Sequence, residues 1–180
     1  VLKQYLKTLT TDELSKLKTE KATNMSAFFL ECEYLQSLGD IGDLIINQVN
    51  DMSSFFGKCI NLKKIPDLSK WNTSNVKNMQ AMFSGCKKLT SITGIENWNI
   101  SNVKDFSGLF FDMKNLTDIS LIQNWDISNS KKLSGLFFDC ENLSDISPLN
   151  KWNVSKCEDI SSLFYGCKKL SDISPLKNWN

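Results

Sequence analysis

The chain contains no arginine and no histidine. The first absence removes the side chain best suited to bidentate contacts with phosphates and base edges. The second removes the commonest general base. All 21 basic residues are lysines, set against 20 acidic ones for a net charge of +1, so no bulk field recruits nucleic acid or an anionic membrane. No run of about eighteen apolar residues is present, the length that a membrane-crossing helix requires, and no direct membrane insertion is expected. There is no GxSxG motif, no glycine-rich phosphate loop and no carboxylate pair outside a periodic pattern, so the chain reads as a non-enzyme without a cofactor or metal. The opening VLKQYLKTLT spreads its lysines through the segment instead of placing them ahead of an apolar block, unlike a secretory leader. It also opens without Met, which leaves room for a leader or anchor ahead of Val1. The far end stops at Trp179 and Asn180 with no polar capping unit, so the parent protein is expected to continue.

What is present is a stride of 27 residues. Phe29, Phe56, Phe83, Phe110, Phe137 and Phe164 keep register without a slip, as do Cys32, Cys59, Cys86, Met113, Cys140 and Cys167. Leu35, Leu62, Leu89, Leu116, Leu143 and Leu170 form a third column, and Trp71, Trp98, Trp125, Trp152 and Trp179 a fourth, with Leu44 in its first place. A period of 20–50 residues marks a solenoid, in which one coil cannot bury its apolar face alone. Val103, Phe106, Leu109 and Phe110 have the spacing of a short helix or 3-10 turn. Gly57, Gly85 and Gly166, just ahead of the cysteines, suit its end. Leu89-x-x-Ile92-x-x-Ile95 reads as a short strand. The expected fold is an α/β solenoid, a right-handed coil with short parallel strands on one face and short helices or 3-10 turns on the other. Residues 24–180 form six such coils. Residues 1–23 fall outside the repeat: Leu2, Tyr5, Leu6 and Leu9 share a helical face, and Thr10 with Glu13 has capping-box spacing opening a second helix through Leu14 and Leu17. They read as a helical cap.

The stretches NMQAMFSGCKKLTSI, WNTSNVKNM and DISSLFYGCKKLSDI, with Val76, Met79, Met82, Phe83, Cys86 and Leu89 in phase, resemble the repeat of BspA-like leucine-rich surface proteins and the related lipoprotein repeats of mycoplasmas. The resemblance covers residues 24–180. It implies a leucine-rich-repeat solenoid at a cell surface or outside the cell, used for adhesion to another protein. One departure is the spacing L-x-x-I-x-x-I, as in Leu116, Ile119 and Ile122, where that family's strands usually read L-x-x-L-x-L.

Zinc sites need C-x-x-C pairs or histidine, and here the cysteines stand one per coil. Stacking brings neighbours near disulfide range, but Met113 fills one rung as a plain apolar plug would, and Cys157 replaces the core valines Val49, Val76 and Val103. Buried free thiols are the favoured reading. Asn72, Asn99, Asp126, Asn153 and Asn180 read as a ladder of buried amides serving a backbone bend, which makes most of the N-x-S/T matches at Asn24, Asn72, Asn99, Asn115, Asn142 and Asn153 accidental. The in-phase tryptophans read as core packing, with an aromatic binding stripe as the rival.

The best functional candidates are the strand's polar positions, since solenoids bind through the sheet surface. One column is Ser37, Lys64, Ser91, Asp118, Asp145 and Asp172, turning acidic along the chain. The next is Gly39, Pro66, Thr93, Ser120, Ser147 and Ser174. Lys64, Ser91, Thr93, Asp118, Ser120, Asp145, Ser147, Asp172 and Ser174 are therefore the candidate partner-binding residues. Stacked carboxylates suit a basic protein partner or are merely solvated, and few hot-spot side chains accompany them. An intracellular scaffold or adaptor in the cytoplasm is the alternative, favoured by cysteines that look unpaired.

Overall fold

The computed structural model describes residues 13, 16–33, 35, 38 and 41–179. The helix expected over Leu2 to Leu9 lies outside them, as do Ser37 and Gly39 of the candidate columns and Asn180 of the asparagine series. Of the second expected helix, Glu13 is helical and its carbonyl accepts the N–H of Lys16 at 3.3 Å.

Successive units stack with the register of the repeat. Parallel bridges join Asn24 to Asp51, Asp51 to Asn78, Asn78 to Asp105, Asp105 to Lys132 and Lys132 to Asp159. The contacts that hold one coil to the next lie just ahead of the cysteine, in the segment where a helical turn was expected. In the second coil the N–H groups of Met52, Ser54, Phe56 and Lys58 donate to the carbonyls of Asn78, Gln80, Met82 and Ser84 at 2.9, 2.7, 2.8 and 2.6 Å. Those between them turn inward: Phe55, Gly57 and Cys59 donate to Met52, Ser54 and Phe56 of their own coil at 3.2, 2.9 and 3.1 Å. Ser53 N–H donates to Asp51 Oδ1 at 2.8 Å. Every donor from 52 to 59 is thus used, as buried backbone requires.

This segment is neither helix nor strand because φ turns positive twice in each coil, four residues apart. The pairs are Ala27 and Glu31, Ser54 and Lys58, Ala81 and Gly85, Gly108 and Asp112, Gly135 and Asp139, Ser162 and Gly166. Each left-handed residue reverses the local winding, so alternate amides point along the stack. The helix-like apolar spacing comes from a run of turns with i to i−3 bonds, which places every third or fourth side chain inward as a helix would. Gly57 does not share this conformation. The left-handed residue there is Lys58 (φ 58°), and a Cβ on Gly57 would meet Leu30 Cδ1 at 2.8 Å, so that glycine serves close packing.

The expected strands are also replaced. No strand occurs among the described residues. The segment after the cysteine runs instead into a 3-10 helix at Ile41–Asp43, Ile95–Asn97, Ser120–Ile122, Ser147–Lys151 and Ser174–Leu176. The extra residue in L-x-x-I-x-x-I gives a three-residue spacing, which matches the three residues per turn of a 3-10 helix better than the two-residue alternation of a strand.

Inside the stack each column becomes a ladder. The rings of Phe29, Phe56, Phe83, Phe110, Phe137 and Phe164 lie face to face at 5.7, 5.5, 6.1, 5.5 and 5.6 Å in turn. The tryptophans are core, as favoured. Trp71, Trp98, Trp125 and Trp152 are buried, and their Nε1–H groups donate to the carbonyls of Ile41, Leu68, Ile95 and Ile122 at 3.2, 3.2, 2.9 and 3.1 Å. None of the six cysteines is in a disulfide. Cys59, Cys86, Cys140 and Cys167 donate Sγ–H to the carbonyls of Phe29, Phe56, Phe110 and Phe137 at 3.1, 3.2, 3.1 and 3.1 Å.

Ala81 stands at φ 55° with its N–H committed to the next coil, a conformation that costs an L-residue about 1–2 kcal/mol. Ala81→Gly is expected to raise the unfolding free energy by about 0.5–1 kcal/mol after the entropy of the unfolded glycine is subtracted. Urea unfolding reads the change, and a loss of stability would contradict the assignment.

Burial pushes the Cys86 thiol up to about 12 and also raises Cys140, while hydrogen bonding to Cys32 and burial raise Cys59. Native thiols therefore keep their protons after those of the unfolded chain have ionised. The stability they confer is intact below about pH 9 and is lost as pH climbs toward the native values, at about 1.4 kcal/mol per pH unit for each such thiol. Denaturation at pH 8 and pH 10 measures the loss, and Cys86→Ala should reduce its slope. In the native protein at pH 8, half-buried Cys157 should be labelled before Cys86 or Cys140.

Candidate partner-binding site

The candidate residues within the described set, Lys64, Ser91, Thr93, Asp118, Ser120, Asp145, Ser147, Asp172 and Ser174, are all exposed. The later ones share a local device. Asp118, Asp145 and Asp172 accept, through Oδ1, the N–H of Ser120, Ser147 and Ser174 at 2.7, 2.8 and 2.8 Å, and each serine opens a 3-10 helix. The backbone N–H and side chain of Ser147 hold the Asp145 carboxyl below the usual carboxylate range, and Ser174 does the same for Asp172. The turn bonds therefore outweigh any repulsion between stacked carboxylates. The shared turn bond gives all three aspartates of the column the same local role.

The same turns leave grooves between coils. One, of about 590 Å³, is lined by Asp118, Ser120, Gln123, Asp145, Ser147 and Lys151 among others. The next, of about 500 Å³, involves Ser147, Asn150, Lys151, Ser174 and Lys177. The fold thus brings Asp118, Ser120, Asp145, Ser147 and Ser174 to adjoining grooves, whereas Lys64, Ser91, Thr93 and Asp172 line neither. The opposite walls, Gln123, Asn150, Lys151 and Lys177, were missed from sequence because they lie in the last residues of a 3-10 helix or just after it, beyond the expected strand.

The asparagine reading needs correction. Asn72, Asn99, Asp126 and Asn153 are exposed, and their Oδ1 atoms accept the N–H two residues on, from Ser74, Ser101, Ser128 and Ser155. They cap their own turns and are not buried ladder amides. The amide ladders run elsewhere. Asn61, Asn115 and Asn142 donate Nδ2–H to the carbonyls of Glu33, Lys87 and Lys114, while Asn75, Asn102 and Asn129 donate to Asn47, Ser74 and Ser101. Ion pairs keep the same inter-coil register. Glu141 accepts from Lys114 at 2.7 Å and Lys168 at 2.8 Å, and these bonds hold its carboxyl down at about 2. Among the described residues no cluster of His, Cys, Asp or Glu could hold a metal ion, and no helix is long and apolar enough to cross a membrane.

Stacked coils of 27 residues, joined by backbone, amide and aromatic ladders and carrying polar grooves at their 3-10 corners, define a repeat protein of leucine-rich-repeat-like fold. An internalin from Listeria monocytogenes is similar in structure over 98% of this chain, with 20% identity and a TM-score of 0.50. The chain spans 44% of that protein's length. A leucine-rich repeat protein from T. pallidum aligns over 82% of this chain and 71% of its own, at 18% identity and a TM-score of 0.42. No curated protein matches the sequence. The chain belongs to the family described as "Mycoplasma protein of unknown function, DUF285", whose profile matches residues 2–94 and 86–180.

Proposed function

We propose that this chain is a non-enzymatic protein-binding module, a right-handed BspA-like leucine-rich repeat displayed at a cell surface or outside the cell for adhesion. Residues 1–23 serve as its cap, a role supported by Leu17 and Ala22 packing against the core. The observation that carries the reading is the pair of adjoining grooves on a rigid stack, presenting Asp118, Asp145 and the serines to solvent. A partner with lysine or arginine side chains suits them, and its binding weakens as salt screens the carboxylates. The surface offers few large anchors, so single contacts are weak and several coils or copies add avidity.

The test substitutes Asp118, Asp145 and Asp172 by asparagine, which retains the turn-capping oxygen. Serine at these positions would weaken the turns. An oligolysine peptide titrated by fluorescence anisotropy should bind the parent and lose affinity for the triple variant. A variant at Lys87, Lys88 and Lys168 should bind unchanged. Equal binding to the triple variant would remove the grooves as the binding surface. The cytoplasmic scaffold reading retains one supporting observation, six cysteines with no disulfide among them.

A further inference from the structure

The two ends of the stack are unlike. Phe29 of the first coil is 0% exposed, and Leu17 and Ala22, which precede that coil, pack against the core, so that end is covered. The sixth coil keeps the apolar columns without their burial. Ile160 is 48% and Ile173 65% exposed, whereas Leu133 and Ile146, one coil earlier, are 0% and 1%. Phe164 and Trp179 are only partly buried. Each stacks one ring face on the coil before it, against Phe137 at 5.6 Å and Trp152 at 6.4 Å, and no ring among the described residues covers the other face.

The backbone shows the same break. In the fifth coil the N–H groups of Leu133, Gly135, Phe137 and Asp139 donate to the carbonyls of Asp159, Ser161, Leu163 and Tyr165 at 2.8, 2.8, 3.0 and 2.7 Å. Their equivalents in the sixth, Ile160, Ser162, Phe164 and Gly166, find no acceptor among the described residues. Ser162 and Gly166 hold φ at 55° and 77°, as their equivalents do in the earlier coils, so these amides are aimed along the stack. Four donors in register beside bare apolar side chains form an open edge.

Polarity decides what fits there. The same end of a second copy would set N–H against N–H, and the first coil of a second copy, whose carbonyls would suit, is already covered. The edge calls for a segment that follows the path of the coil, offering carbonyls at alternate residues and a Phe and a Trp to the open ring faces.

We propose that the sixth coil docks one further coil of this same repeat, supplied by another chain, and so extends the stack in trans. A segment with the sequence of residues 78–104 defines the register. It sets the carbonyls of Asn78, Gln80, Met82 and Ser84 on the four N–H groups, Phe83 on Phe164 and Trp98 on Trp179. The thiol of Cys86 and the indole of Trp98 then donate to the carbonyls of Phe164 and Leu176, as they donate within this chain to those of Phe56 and Leu68. In a solenoid each coil touches only its neighbours, so one docked coil makes the full set of contacts on its inner side. The edge lies at the end of the stack and does not rest on the grooves proposed above.

The probe is a labelled peptide of residues 78–104, titrated against the whole chain by fluorescence anisotropy. Saturable binding is expected, with hydrogen exchange at the amides of Ile160, Ser162, Phe164 and Gly166 slowed at least about tenfold. Ile160→Asp with Ile173→Asp should weaken binding at least about tenfold. Thermal unfolding checks that this variant folds, and a peptide carrying Phe83→Ala, which should also bind more weakly, tests the ring contact on the unaltered protein. Asp118→Asn with Asp145→Asn should leave the affinity unchanged. The proposal is overturned by the absence of saturable binding, by unchanged affinity in the folded Ile160 and Ile173 variant, by equal binding of a shuffled peptide, by unslowed exchange at the four amides, or by loss of binding in the Asp118 and Asp145 variant, which would move the peptide to the grooves. A parent dimer in sedimentation that Ile160→Asp with Ile173→Asp disperses would assign the edge to a second copy and also overturn it.

Discussion

Phe83→Ala is expected to lower the unfolding free energy by about 3–5 kcal/mol, the range for deleting a fully buried aromatic side chain. Phe83 is 0% exposed. Its ring is stacked between Phe56 at 5.5 Å and Phe110 at 6.1 Å, and its N–H ties the third coil to the carbonyl of Leu109 at 3.0 Å. A stack of coils has no central core that could collapse into the gap, because each coil touches only its neighbours. One truncation therefore weakens the interfaces on both sides. Equilibrium urea unfolding measures the loss, and Phe111→Ala, at a ring 36% exposed, is the control, expected to cost far less. A change below about 1 kcal/mol for Phe83→Ala would mean that the inner ladder does not carry the stack.

Gly94→Ala should rank with it, at about 3 kcal/mol or more. Gly94 stands at φ 89° as the residue preceding the 3-10 helix Ile95–Asn97. There an alanine Cβ would run into Asp67 Oδ1 and the backbone nitrogens of Leu68 and Ser69 in the preceding coil. These are not flexible side-chain tips. Leu68 N–H is bonded to Thr93 O at 3.1 Å, and Asp67 Oδ1 accepts Ser69 N–H at 2.9 Å, so relief must break an inter-coil bond or a turn. The left-handed penalty alone is about 1–2 kcal/mol, and the forced shift adds to it. Gly108→Ala separates the two contributions: its φ is also positive, at 61°, but the nearest neighbour of a new Cβ is Phe111 Cβ at 3.5 Å. It should cost only the conformational part, about 1 kcal/mol. Equal losses at the two glycines would show that steric contact at Gly94 is unimportant.

The candidate columns were partly legible in the sequence. Asp118, Asp145 and Asp172 are exposed at the positions where their stride placed them, but the purpose of the acidic run was not visible there, because an Asx turn depends on the path of the backbone two residues on. The two asparagine columns were confused for the same reason. Asn72 and Asn115 both repeat in phase, and only the coil geometry decides which oxygen caps its own turn and which amide reaches back to the preceding coil. A ladder of outward rings, Phe111, Phe138 and Tyr165, was present as a column of the same stride. It sits next to the buried Phe110, Phe137 and Phe164, and one step along a turn reverses inside and outside.

By itself the 27-residue sequence period determined that the chain stacks coil upon coil and that Phe, Cys, Leu and Trp columns fill the interior, because burial by a neighbour in register is the way such a unit hides its apolar side chains. Tertiary structure alone decided how the backbone of each coil runs. Whether a given amide bonds within its coil or to the next depends on φ at Ala27, Glu31 and their equivalents, a sign that Ala, Ser, Glu, Lys, Asp and Gly all adopt here and that residue type therefore does not announce. That choice turned an expected helix and strand into runs of turns and 3-10 helices, and with them set where the grooves and the outward rings face solvent.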